Sequence, residues 1–114
     1  DEITTTGKTY VAALENGNVR TFEVTPGEAG LPLADLDDLK GGDGPHNAAA
    51  ITDLLEGRSG PYRDIVLINA AASLIIAGKV DDLKSGVVRA ATAIDEGKAR
   101  AALDKLVEIT NSGL

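Results

Sequence analysis

Apolar positions are densest between Pro61 and Gly78, where Ile65 to Ile68, Ala70 to Ala72 and Leu74 to Ala77 leave only Asn69 and Ser73 as polar interruptions. Proline at the first helical position and glycine just beyond the last predict a helix over this stretch. A helix that is apolar all round must be covered on every side. Lipid is a poor cover, because the run falls short of the roughly 20 residues a span requires and is closed by Arg63-Asp64 and Lys79. The pattern therefore predicts a central, buried helix of a globular domain.

The pattern before this helix is different. Thr9 to Leu14 and Val19 to Val24 are rich in β-branched and aromatic residues and flank Asn16-Gly17, a strong hairpin signal. Leu33, Leu36 and Leu39 suggest a short helix stopped by Gly41-Gly42. A second helix is expected from Pro45 to Glu56, capped by Asp43 or Gly44, with Ala48, Ile51 and Leu55 inward. After Gly78, Asp81 or Asp82 caps a helix carrying Leu83, Val87, Ala90, Ala91 and Ile94 at helical period, ended by Gly97. A last helix is expected from Ala99 to about Ile109, burying Leu103, Leu106 and Val107. The order is a β-hairpin followed by four or five helices. A two-stranded ribbon is marginal alone, and so apolar a helix calls for a broad surface, so a larger sheet with strands from outside this chain is expected.

Composition narrows the possible partners. A formal charge of −7 with 11 scattered basic residues argues against nucleic acid and against an anionic membrane surface. The lack of cysteine removes disulfides, thiolate chemistry and cysteine zinc sites. No signal peptide or lipidation motif is visible, and the plain expectation is a cytoplasmic protein. The chain has no methionine and opens on Asp1-Glu2, as a processed or truncated polypeptide would.

Asp1-Glu2 is the sharpest chemical candidate, because Mg²⁺ takes one or two protein carboxylates and fills its octahedron with water and phosphate oxygens. Neighbouring side chains of a strand point to opposite faces, so the pair must sit in a bend or hold ions from two sides. Taken alone, the dipeptide reads as a solvated terminus. Gly41-Gly42-Asp43-Gly44 could cradle phosphate at a helix start. However, Pro45 deletes an amide and Asn47 stands where a third glycine would be, which favours a tight turn. His46, the single histidine, has no partners for a metal site or a triad and reads as a surface residue. Asn69 and Ser73 read as satisfied polar groups of the core. Asp37-Asp38, Asp81-Asp82 and Asp95-Glu96 read as capping or solvated.

In order, Asp1-Glu2-Ile3-Thr4, Thr25-Pro26, Gly30-Leu31-Pro32, Leu39-Lys40-Gly41-Gly42-Asp43, Asn47-Ala48-Ala49, Gly60-Pro61, Arg63-Asp64, Leu67 to Ala72, Ala77-Gly78-Lys79, Leu83 and Gly86 resemble one family. They look like the C-terminal part of the α/β domain of the anthranilate phosphoribosyltransferases, which are similar in fold to the pyrimidine nucleoside phosphorylases. The resemblance spans nearly the whole of residues 1–114. It implies an enzyme of tryptophan biosynthesis that joins phosphoribosyl diphosphate to anthranilate with Mg²⁺ bound, and that forms a homodimer when complete. It also implies that Asp1 and Glu2 are the paired metal carboxylates, and it carries over no other catalytic residue. The family's glycine-rich diphosphate loop, its Lys-His-Gly-Asn-type stretch and its helical N-terminal domain precede the position of Asp1 and are not in this chain. The isolated chain is therefore expected to be inactive, and a free ammonium group at Asp1 would repel Mg²⁺. A non-enzymatic structural or binding module derived from the same fold is the alternative.

Overall fold

Asn16 and Gly17, both with positive φ (50° and 80°), form the tight turn that the hairpin needs. They join strand β1 (Thr9–Glu15) to strand β2 (Asn18–Val24) in a computed structural model that describes residues 2–113. The strands pair antiparallel from Glu15 opposite Asn18 to Thr9 opposite Val24. Short 3₁₀ turns follow at Pro26–Ala29 and Leu36–Leu39. Four α-helices complete the order: α1 (Gly44–Leu55), α2 (Pro61–Ile76), α3 (Leu83–Asp95) and α4 (Lys98–Thr110). A β-hairpin followed by four helices is thus the architecture.

The helix starts follow the local chemistry. The Asp43 side chain accepts from the His46 N–H, and Asp82 accepts from the Ser85 N–H at 2.7 Å. Helix α2 begins on Pro61 and is followed by Gly78 in the left-handed region (φ 67°). The leucine-spaced segment before Gly41 forms only one 3₁₀ turn, because Pro32 and the acidic run Asp35 to Asp38 leave too few residues to propagate an α-helix. In α1 the inward residue is Leu54, with Leu55 half-buried, whereas Ala48 and Ile51, expected inward, are exposed. In α4 Leu103 is half-buried, but Leu106 and Val107 are exposed because no other element packs over that face among the described residues.

Leu54, Leu67, Ala90 and Ile94 form the core where α1, α2 and α3 meet, and Ala99 of α4 closes one side. Helices α2 and α3 pack closely: a Cβ on Gly86 would lie 2.6 Å from that of Ala71. Helix α2 is covered less completely than its composition predicts. Ile68 and Ala71 are 0% exposed, yet Ile76 is 86% exposed. The hairpin is the reason. It stands off the helices across a groove lined by Val11, Phe22, Ala72, Ile75 and Ile76, and leaves Tyr10 80% exposed. Among the described residues no helix is long and apolar enough to cross a membrane.

Candidate functional site

The segment leading into β1 has no regular secondary structure, yet its backbone groups are held one by one. The Asn69 carboxamide, projecting from the middle of α2, accepts from the Ile3 N–H at 2.9 Å and donates to the Ile3 carbonyl at 2.8 Å. Its Nδ2 also donates to the Ile65 carbonyl one turn back, at 2.9 Å. Thr9 Oγ1 accepts from the Thr4 N–H, and Thr4 Oγ1 accepts from the Thr6 N–H, both at 3.0 Å. The Thr5 carbonyl accepts from the Ala34 N–H at 2.9 Å. The Thr5 side chain is 0% exposed, and its hydroxyl meets no hydrogen-bonding partner among the described residues. Residues 3 to 9 therefore form a pinned bend rather than a loose lead-in.

Glu2 emerges from this bend with an exposed side chain. It borders two clefts. One lies between β1 and α2, beside Tyr10, Val11 and Ile76; the other is lined by Leu36, Leu39, Tyr62 and Ile65. Asn69 and Ser73 border both as well, so Glu2 stands where the clefts meet. Asp1, the other half of the expected pair, lies outside the described residues. No three His, Cys, Asp or Glu side chains gather into a metal cluster among the described residues. The donor chemistry nonetheless suits a hard cation that keeps most of its water, since Mg²⁺ uses one or two carboxylates and takes its remaining ligands from water and phosphate. Glu2 supplies one such oxygen donor at an open cleft, and Mg²⁺ fits it on those terms.

The other candidates resolve into structural roles. Asn47 accepts from the Gly42 N–H at 2.9 Å and donates to the Gly42 carbonyl at 3.0 Å, so the glycine loop turns its polar groups to its own helix. A Cβ on Gly41 would meet Asn47 Oδ1 at 2.9 Å, and one on Gly42 would meet the His46 ring at 2.9 Å. This is a tight turn, not a phosphate cradle. His46 is exposed in the first turn of α1. The Ser73 hydroxyl donates to the Asn69 carbonyl at 3.1 Å.

Asp82 caps α3 as its position suggests, but Asp95 does more than face solvent. Its carboxylate takes both terminal nitrogens of Arg63, at 2.8 and 2.9 Å, tying the end of α3 to the start of α2. The Arg63 side chain is only 12% exposed there. Its hydrogen bonds hold Asp95 below the usual carboxylate range and raise Arg63 in turn. Burial pushes Asp64 up, against the pull of Arg63. The two ties that sequence reasoning missed, Asn69 to Ile3 and Arg63 to Asp95, join residues 66 and 32 positions apart. The one local trace of the first is a polar residue interrupting an otherwise apolar helix.

The chain is 58% identical over 111 residues to an anthranilate phosphoribosyltransferase of Methylocella silvestris, covering 97% of this chain and 32% of that protein. It is 59% identical over 111 residues to the enzyme of the same name from Parvibaculum lavamentivorans, covering 97% and 33%. Among solved structures, the anthranilate phosphoribosyltransferase of Thermus thermophilus superposes with a TM-score of 0.81 at 38% identity, covering 92% of this chain and 31% of that one. The Saccharomyces cerevisiae enzyme in complex with 4-fluoroanthranilate gives 0.84 at 26% identity, covering 98% and 33%. A serine-to-alanine variant of the yeast enzyme, solved with Mg bound, gives 0.78 at 27% identity over 91% and 31%. The chain thus spans about a third of the length of the relatives it matches. The profile of the glycosyl transferase family, a/b domain, matches residues 1–100, and the chain belongs to that family.

Proposed function

We propose that residues 1–114 are the C-terminal part of the α/β domain of an anthranilate phosphoribosyltransferase and contribute its metal-binding carboxylates. The observation that carries this reading is identity of 58% over 97% of the chain with an enzyme of that name. The position of Glu2 at the meeting of two clefts supports it. In the reaction, the bond from the anomeric carbon of phosphoribosyl diphosphate to diphosphate breaks and the leaving group takes the electron pair. The amino nitrogen of anthranilate bonds to that carbon and sheds a proton. Mg²⁺, when bound, neutralises the charge gathering on diphosphate.

The part of this chain is narrower. Glu2 would supply a hard oxygen ligand at the cleft and the pinned bend would hold it still while charge moves, with Asp1, its neighbour in sequence, as the family's second carboxylate. Helices α1 to α3 would serve as scaffold. The diphosphate loop and the helical domain belong to the remaining polypeptide, and the complete enzyme is a cytoplasmic homodimer on this reading.

The test compares two proteins by following the loss of anthranilate fluorescence. The isolated chain is expected to give no turnover with phosphoribosyl diphosphate and Mg²⁺. In the longer protein, Glu2→Gln is expected to raise the Mg²⁺ concentration for half-maximal rate by about tenfold or more. A longer protein with no transferase activity would remove the reading and favour a non-enzymatic module.

A further inference from the structure

We infer that Asn69 is a positioning residue for Glu2, setting through the Ile3 backbone where its carboxylate stands; this rests on the proposed metal role of Glu2. Three hydrogen bonds make the argument. Oδ1 takes the Ile3 N–H, and Nδ2 gives one proton to the Ile3 carbonyl and one to the Ile65 carbonyl. Every described bond is used in one sense only, so rotating the amide by half a turn would set oxygen against two carbonyls and N–H against N–H. The carboxamide is thereby locked to α2, and Ile3 is locked to the carboxamide. It pairs with Ile3 as the backbone of a neighbouring strand would, at a place where no strand runs alongside among the described residues.

Such a residue is unfavourable in an apolar helix. Asparagine is a weak helix former, and its neighbours Leu67, Ile68 and Ala71 are buried. A hydrophobic residue would suit the helix better. The group it holds lies one residue from Glu2, and Asn69 itself borders both clefts that Glu2 overlooks. Residues that orient a metal ligand without touching the ion typically change metal affinity about 10–100-fold when removed.

The experiment uses the longer protein and Mn²⁺ as the probe, with free Mn²⁺ followed by electron paramagnetic resonance in the presence of phosphoribosyl diphosphate and without anthranilate, so that no turnover occurs. Asn69→Ala is compared with Glu2→Gln and with Asp82→Ala, which removes the cap of α3 and serves as a stability control. The expected result is a Kd for Mn²⁺ raised about tenfold or more by Asn69→Ala and by Glu2→Gln, with Asp82→Ala unchanged. If Glu2→Gln weakens binding while Asn69→Ala behaves as Asp82→Ala does, Asn69 is a structural tie and the inference falls alone. If Glu2→Gln also leaves binding intact, the metal role of Glu2 falls and takes the inference with it. Should Asn69→Ala fail to fold, Asn69→Gln, with the same amide one methylene further out, carries the same comparison.

Discussion

Gly86 shows what one missing methyl group does for this fold. It is buried on α3 against Ala71 of α2, and an added Cβ would lie 2.6 Å from the Ala71 Cβ and 2.8 Å from its Cα. Backbone is on the other side of that contact, so no flexible side chain can yield. Replacing glycine by alanine inside a helix gains about 1 kcal/mol from propensity. Forcing a methyl group into a filled core costs about 1–3 kcal/mol, and more when the backbone must move. The steric effect should win. Gly86→Ala is expected to lower the melting temperature, and Ala71→Gly on the same chain should restore part of the loss. Equal melting temperatures for Gly86→Ala and the parent would show that α2 and α3 separate freely.

At the scale of elements, α2 is fixed by charges as well as by packing. The Arg63 pair holds the folded-state pKa of Asp95 below its unfolded value, and the cap to Ser85 does the same for Asp82. Their contributions are complete above the ordinary aspartate range near about 3.9 and are lost as pH falls through the lowered folded values. Asp64 runs the other way. Burial raises its folded pKa, so the native state binds its proton more tightly and loses stability as pH rises through that window. Asp64→Asn should therefore stabilise the protein at pH 7 relative to its effect at pH 3. Asp95→Asn should destabilise it at pH 7 and matter little once the carboxyl is protonated. Urea melts at the two pH values read both, and an effect of Asp64→Asn independent of pH would count against the burial argument.

The elements themselves were largely legible in the sequence, because punctuation marks them locally. Asn16-Gly17 marked the hairpin, Pro61 and Gly78 bracketed α2, and Asp82 and Gly97 bracketed α3. The pairing of Asn69 with Ile3 and of Arg63 with Asp95 was not, since the chain pattern near each residue says nothing about a partner so distant. The metal assignment of Asp1 and Glu2 came from likeness to a family and not from their spacing, which by itself suggests a solvated end.

For the whole molecule, the surface is too large for the chain. A globular protein of this mass exposes about 5,900 Å² and has a radius of gyration near about 13 Å. Here the accessible surface is 7731 Å² and the radius is 15.5 Å. Much of the excess is apolar: Tyr10, Leu14 and Val19 on the hairpin, Ile76 on α2, and Leu106 and Ile109 on α4 are all exposed. The charge of −7 opposes self-association, but at physiological salt it is screened beyond about 8 Å, while apolar contact acts at touching distance. The isolated chain is expected to brighten ANS and to sediment as a concentration-dependent mixture. A single monomeric species that leaves the dye dark would mean that these faces are covered in solution.

The bond between Ile3 and Asn69 also sets a timetable. On the ribosome Glu2 and Ile3 are made before Asn69, and the amide that fixes the Ile3 backbone is translated 66 residues later. At about 5–20 residues per second that interval is roughly 3–13 s, before the exit tunnel adds its own delay. Until then the backbone beside Glu2 has no partner on the second helix. On the proposed reading, completion of the second helix, and not synthesis of Glu2, would be the event that sets the metal ligand.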